Sequence, residues 1–284
     1  MKSFNVILAV FILTGCGSTL KLDSDWRQQE ITIDGKQSDW QDALTFVEKK
    51  DVSIGVANDG EFLYICLVSA DRILPRQMVR RGFTVWIDPK GGKDKTFGIR
   101  FPIGMLESGM MEEAMGRGRG RDEAIDPERM KELFEQTMSE LEILGPEKED
   151  RHRYSMSELE GLEVKIGEPA DGLVYEIKVP LYKTEQYPIA VGLAEGEKIG
   201  VGFETVEFDR SALRQRRGGG GFGGGRGGGR RGFRGGRGGF GSGFGGGRSQ
   251  MASEFKLWAF VELGTKKAIE SAKVEVEENQ QQDR

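Results

Sequence analysis

Histidine and cysteine are almost missing from this chain. One histidine, His152, and two cysteines, Cys16 and Cys66, occur in 284 residues. A closed zinc site of the Cys/His type takes four such ligands, so none can be built. A Ser-His-Asp or Cys-His centre would have to rest on His152 alone. No acid/base pair stands out that would mark an enzyme. Long apolar runs are missing too. The stretch from Val6 to Leu13 falls well short of the ~20 residues that span a bilayer. Acids are missing locally: residues 216–248 hold 8 Arg and no Asp or Glu. The whole chain has a net charge of −5, so the remainder is strongly acidic. An acidic body with one basic segment suggests that the segment has a partner of its own.

What is present begins with an address. Lys2, the short apolar run and the small residues Thr14 and Gly15 have the form of a secretory signal. Leu13-Thr14-Gly15-Cys16 resembles the lipobox of bacterial lipoproteins. That resemblance implies cleavage before Cys16, a lipid on its thiol and acylation of the new N-terminus. Several acyl chains anchor stably where one does not. Gly17, where an Asp would favour retention at the inner membrane, implies the outer membrane. The expected organisation is therefore a signal peptide over 1–15 and a polar tether over 16–29, with Trp26 inside it. Cys66 is left without a partner and reads as a small buried hydrophobe.

The body reads as strands. Phe83, Val85 and Ile87 alternate with Thr84, Trp86 and Asp88, and Phe97, Ile99 and Phe101 resume the alternation after Pro89, Gly91 and Gly92. One face of this hairpin is core, and the other carries Trp86 and Arg100. Val52, Ile54 and Val56, the turn Asn58-Asp59-Gly60, and Phe62 to Val68 form a second hairpin. Further strands are expected at Ile31–Gly35, Leu162–Ile166, Leu173–Pro180, Ile189–Leu193, Ile199–Phe208 and Phe255–Leu263, the last with Trp258 on its outer face. Residues 103–160 read as a helical insertion. Asp126-Pro127 starts a helix, apolar residues from Met130 to Leu144 keep helical spacing, and Gly145-Pro146 ends it. The expected fold is mainly β, a jelly-roll-like antiparallel β-sandwich over 30–264 with one helical insertion and a frayed tail over 265–284.

The order of these pieces resembles the family 9 carbohydrate-binding modules within the DOMON-like sandwiches. The matching pieces are Ile33-Asp34-Gly35 with Asp39-Trp40, Asp59 through Leu63-Tyr64 to Asp71, and Val85-Trp86-Ile87-Asp88. Val174 to Pro180, Ile199 to Phe203 and Leu257-Trp258 complete the series. The resemblance implies a module that binds sugar and performs no chemistry. It places a sugar-contacting arginine at Arg100, and calcium occurs in the family. The two-ring sugar clamp of the family has no counterpart in the loop Leu74 to Arg81, which holds no aromatic residue. Thr84 stands where a glutamate is common.

The 20 Gly, 8 Arg, 4 Phe and 1 Ser of residues 216–248 form a low-complexity loop expected to be disordered. It resembles the Arg/Gly segments of RNA-binding proteins, in which Arg meets phosphate and bases stack on Phe. Outside the cytoplasm no intracellular nucleic acid is expected. The partner of Arg226, Arg230, Arg231, Arg234 and Arg237 would be an anionic envelope polymer or lipid. Three functions follow. The first is a lipid-anchored cell-envelope module that binds carbohydrate through Trp86 and Arg100. The second is an adaptor that binds anionic polymers through the arginine loop. The third is a haem-binding redox module with His152 or a Met of 105–115 as axial ligand. No cofactor is otherwise expected.

Overall fold

The computed structural model describes residues 20–27, 29–106, 137–167, 172–193, 198–206 and 254–266, with isolated helical positions at 128, 132 and 135. In chain order the strands are β1 (Leu20–Asp23), β2 (Asp25–Trp26), β3 (Leu44–Val47), β4 (Val52–Asn58) and β5 (Phe62–Ser69). A helix, α1 (Ile73–Arg81), leads to β6 (Phe83–Asp88) and β7 (Phe97–Arg100). Then come β8 (Glu140–Leu144), β9 (Arg151–Ser155), β10 (Glu163–Gly167), β11 (Leu173–Pro180), β12 (Lys198–Thr205) and β13 (Lys256–Glu262).

They form two sheets. Seven strands run in the order β1-β13-β12-β6-β7-β8-β9, and six make the second sheet, β10-β11-β5-β4-β2 with β3 also on β4. This is a β-sandwich. Alternation turns Phe83, Val85, Ile87 and Ile99 of the first sheet inward, where they meet Leu63, Ile65, Leu67, Tyr175 and Ile177 of the second. Phe83 and Tyr175 pack edge to face at 5.1 Å, and the Tyr175 hydroxyl donates to the Phe101 carbonyl at 2.9 Å.

Strand β5 is apolar on both faces because both are covered. Leu63, Ile65 and Leu67 point into the sandwich. Tyr64 and Cys66 point outward and lie under Trp40, with Ile31, Ile33 and Ala43 packed around them. The outer layer is latched by a buried carboxylate. Glu176 accepts the Trp40 indole N–H at 2.8 Å and the Gly35 amide N–H at 2.6 Å. Burial pushes the Glu176 carboxyl above its ordinary range, against these two hydrogen bonds that favour the charged form. Cys66 is free and buried, and burial likewise pushes its thiol up, away from reactivity.

Several expectations need correction. Residues 20–26 are not tether. β1 pairs in parallel with β13, and β2 in parallel with β4, so the sandwich is not purely antiparallel. The crossing between sheets is fixed at Ser24, whose hydroxyl donates to the Asn58 side chain at 2.7 Å. The same Asn58 oxygen accepts the Gly264 N–H at 2.8 Å. Ile31–Gly35 is irregular chain in the outer layer rather than a strand. Leu74–Arg81 is helix, not loop. Ile189–Leu193 is irregular too; Val191, Gly192 and Leu193 donate to the Pro180 and Leu181 carbonyls as the chain folds over the end of β11. The insertion is only partly helical. Glu128, Glu132, Glu135 and Thr137 are helical, but Glu140–Leu144 and Arg151–Ser155 extend the sheet. Leu141 and Leu144 fit helical spacing and alternation equally well over so short a run. Pairing of β8 with β7 decides for the strand.

The latch generates a test. Gln at 176 retains one oxygen for Trp40 but sets an N–H₂ against the Gly35 N–H. Urea denaturation of Glu176→Gln should show a loss of about 1–3 kcal/mol. Since the folded carboxyl titrates above its unfolded value, its contribution is full below the unfolded pKa and fades as pH rises through the folded one. A pH series of wild-type denaturation should show that decline, and the Gln variant should lack it.

Candidate functional site

The outer face of the seven-stranded sheet carries two parallel rows of side chains. Register aligns Arg153 of β9, Glu142 of β8, Arg100 of β7, Thr84 of β6, Glu204 of β12 and Lys256 of β13 in one row across the sheet. Two residues along, a second row runs Leu144, Gly98, Trp86, Gly202, Trp258. Trp86 and Arg100 thus share one face, as alternation requires.

The charged row is built on Glu142, which is 2 % exposed. Its carboxylate meets Arg100 at 3.1 Å, Arg151 at 2.7 Å and Arg153 at 3.1 Å. The Arg100 Nε also donates to the Thr84 hydroxyl at 3.3 Å. A buried carboxylate with three guanidinium partners holds each arginine in place.

The aromatic row depends on glycine. A Cβ at Gly98 would come within 2.7 Å of the Trp86 ring, and one at Gly202 within 2.6 Å of the Trp258 ring. With no side chain at either position, both indoles lean over the neighbouring strand. The two rings differ in availability. Trp86 is 7 % exposed, its indole N–H donates to Glu204 at 2.8 Å, and the Lys95 ammonium sits 5.3 Å from its centroid. Trp258 is half-buried, and among the described residues no cation or ring stacks on it. Lys93 caps Phe260, two residues along β13, at 5.5 Å.

A cleft of about 660 Å³ opens elsewhere, at the Asn58/Gly264 end of the sandwich. Half-buried Trp26 lines it together with Glu30, Asp39 and Asp42, with buried Trp40 behind.

The other residues singled out by sequence fall as follows. Cys16 and Arg226, Arg230, Arg231, Arg234 and Arg237 lie outside the described residues, as do Met110 and its neighbours to Met115. His152 is exposed on the edge strand β9, whereas Met105 is buried and bonded to α1 through the Val79 carbonyl. For calcium, no group of three or more His, Cys, Asp or Glu suited to a metal occurs among the described residues. The buried Asp88 carboxylate accepts the backbone N–H groups of Lys90 and Asp94 instead. Sequence reasoning missed Glu142, because its stretch reads as helix. It also missed the alignment of Trp258, Gly202, Trp86 and Gly98, which exists only once β12 lies between β6 and β13.

No family model matches the chain, and no curated protein does. Among solved structures, a family 9 carbohydrate-binding module from Caldicellulosiruptor kristjanssonii in complex with cellotriose is similar over 68 % of this chain and 79 % of that one, with 12 % identity and a TM-score of 0.32. The same organism's module in complex with glucose is similar over 68 % and 81 %, with 12 % identity and a TM-score of 0.30. Superpositions this loose carry no argument; the sandwich rests on its own strand pairing.

The Glu142 cluster is testable without a ligand. Glu142→Ala should destabilise the domain by about 3 kcal/mol or more, because it removes the buried carboxylate that three guanidinium groups share. Chemical denaturation measures this, and hydrogen exchange should show β9 losing protection first.

Proposed function

We propose that this chain is a non-catalytic, lipid-anchored module of the bacterial cell envelope that binds carbohydrate on the outer face of its seven-stranded sheet. The observation that carries the reading is the pair of adjacent rows. One is a strip of indoles lying over glycines. The other is a line of fixed carboxylate, guanidinium and hydroxyl groups two residues away. A sugar ring stacks its C–H face on an aromatic face and satisfies its hydroxyls on planar charged or amide groups, so such a pairing suits it. The ring assigned to stacking is Trp258. Lys256 and Glu204 border it along the charged row, Thr84 and Arg100 follow two and three strands away, and Trp86 supports the strip from within. The lipobox-like Leu13-Thr14-Gly15-Cys16 supports anchoring through Cys16, and the order of sequence motifs supports the carbohydrate class.

The cleft beside Trp26 supports a second location for the same activity, because it has ligand-sized volume and an aromatic wall. The arginine-rich loop supports an adaptor reading, and salt separates it from sugar stacking. Contacts of Arg with a polyanion release counterions, so affinity falls steeply with salt, whereas stacking and hydrogen bonding to a neutral glycan barely respond. Affinities for neutral glycans, acidic glycans and DNA are to be measured at two salt concentrations. Neutral-glycan binding that is indifferent to salt, lost in Trp258→Ala and retained without residues 216–248, is the expected result. Loss in Trp26→Ala instead moves the site to the cleft. Binding that is steep in salt and vanishes with residues 216–248 establishes the adaptor. Anchoring is read separately: Cys16→Ser should leave the precursor uncleaved and shift its detergent partitioning.

A further inference from the structure

The two ends of the sandwich are chemically different. Leu20 opens β1 opposite Ala259, and β1 runs parallel to β13. The chain therefore enters at the end where β13 and β6 begin and β12 and β7 stop. Thr205 and Phe255 are bonded to one another there, the Phe255 N–H reaching the Thr205 hydroxyl at 3.1 Å. The turn between β3 and β4 lies at the same end, since the Lys50 ammonium sits 5.6 Å from the Phe255 ring. Helix α1, which joins β5 to β6, caps it.

Helix α1 turns Leu74 and Met78 into the core. Its outward face carries Ile73, Arg76 and Arg80, at i, i+3 and i+7, with Arg72 just before them. Arg72, Arg76 and Arg80 are exposed, and none is ion-paired among the described residues. Ile73 is 52 % exposed, an apolar side chain set among cations. The acids nearby are Glu48 and Asp51 in the β3–β4 turn, exposed Glu254 just before Phe255, and Asp71, whose carboxylate accepts the Ile73 N–H at 2.8 Å. Arg81, Lys49 and Lys50 add to the positive side.

Leu20 follows Cys16 by four positions, a reach of about 14 Å at full extension. We infer that this end is a docking surface for the anionic lipid headgroups of the bilayer that holds Cys16, with Arg72, Arg76 and Arg80 on phosphates and Ile73 in the interface. The inference rests on the lipid anchoring proposed above. A short tether confines the end that bears α1 to the membrane, and its charge complements an anionic leaflet. An exposed isoleucine between arginines suits an interface, where apolar and anionic groups meet within a few ångströms. A dissolved polyanion offers only the charge.

The test uses the mature chain carrying Cys16→Ser, so that no acyl group contributes, with vesicles of phosphatidylcholine alone or mixed with phosphatidylglycerol. The parent should partition onto the anionic vesicles only. Arg76→Glu with Arg80→Glu should lower that partition about tenfold or more, while circular dichroism stays unchanged. Ile73→Ser should weaken it further at high salt, where charge is screened. Equal partition of parent and variants overturns the inference. So does binding that disappears only when residues 216–248 are removed, or binding to DNA that the same variants abolish while vesicles are never bound. Acylation is read independently with a clickable fatty acid in cells. Absence of label on Cys16 removes the anchor and this inference with it. Label present, with vesicle partition unchanged in the helix variants, overturns the inference alone.

Discussion

A sheet that is apolar on both faces has to be covered twice, and most of this architecture answers that demand. β5 and β11 turn one set of residues into the sandwich and leave Tyr64, Cys66 and Val174 on the outside. The chain from about residue 27 to residue 43 covers them, with Trp40 as its main apolar body. Irregular chain over a sheet has few backbone partners of its own, so it needs a side-chain latch. Glu176 supplies one by joining Trp40 and Gly35 through a single carboxylate. The covering segment and β2 before it lie on the six-stranded sheet, whereas β1, which precedes β2, belongs to the other sheet. The N-terminus must therefore cross the end of the sandwich, and Ser24, Asn58 and Gly264 fix that crossing.

The outer face of the other sheet is treated in the opposite way. It carries a row of alternating charge beside the row of Leu144, Trp86 and Trp258. Cross-strand neighbours of opposite sign stabilise a sheet where like charges would oppose it. Glu142 lets three arginines share one region without mutual repulsion. This arrangement also fixes Arg100, the position at which a sugar-contacting arginine was expected. A guanidinium pinned by a buried carboxylate loses little entropy when a ligand hydroxyl joins it, which is how a rigid surface recognises a polar ligand.

Local patterns made the central fold legible. Alternation and turn residues located β4 through β7, β10, β11 and β13 to within a residue or two, because each is bounded by Gly, Pro or Asn-Asp-Gly. They also placed Trp86 with Arg100, and Trp258 outward. The errors share a cause. Ile31–Gly35 and Ile189–Leu193 alternate like strands but pair with none, so burial of their side chains proceeds without a ladder. Leu141 and Leu144 satisfy two periods at once. β1 and β2 are too short to announce themselves, and their partners are distant in sequence. The site suffers most from this, since a row across five strands is a property of register. Nothing local to Gly98 or Gly202 says which tryptophan will cover it.

Register also sets where the two aromatic locations sit along the molecule. Thr84 and Arg100 lie next to the end that bears α1, and Trp86 with Trp258 lies two residues, roughly 7 Å, further along. The cleft beside Trp26 opens at the opposite end, beyond the full length of β4. If Cys16 is held in lipid as proposed, the strip formed by Trp258 and Trp86 would face sideways close above the headgroups, and the cleft would face away from them. A polymer held by the strip would lie along the membrane surface. A glycan end held by the cleft would project outward past a rim of carboxylates. Under the proposed anchoring, one strand register would present two different ligand geometries, a chain lying along the membrane at the strip and a chain end projecting from it at the cleft.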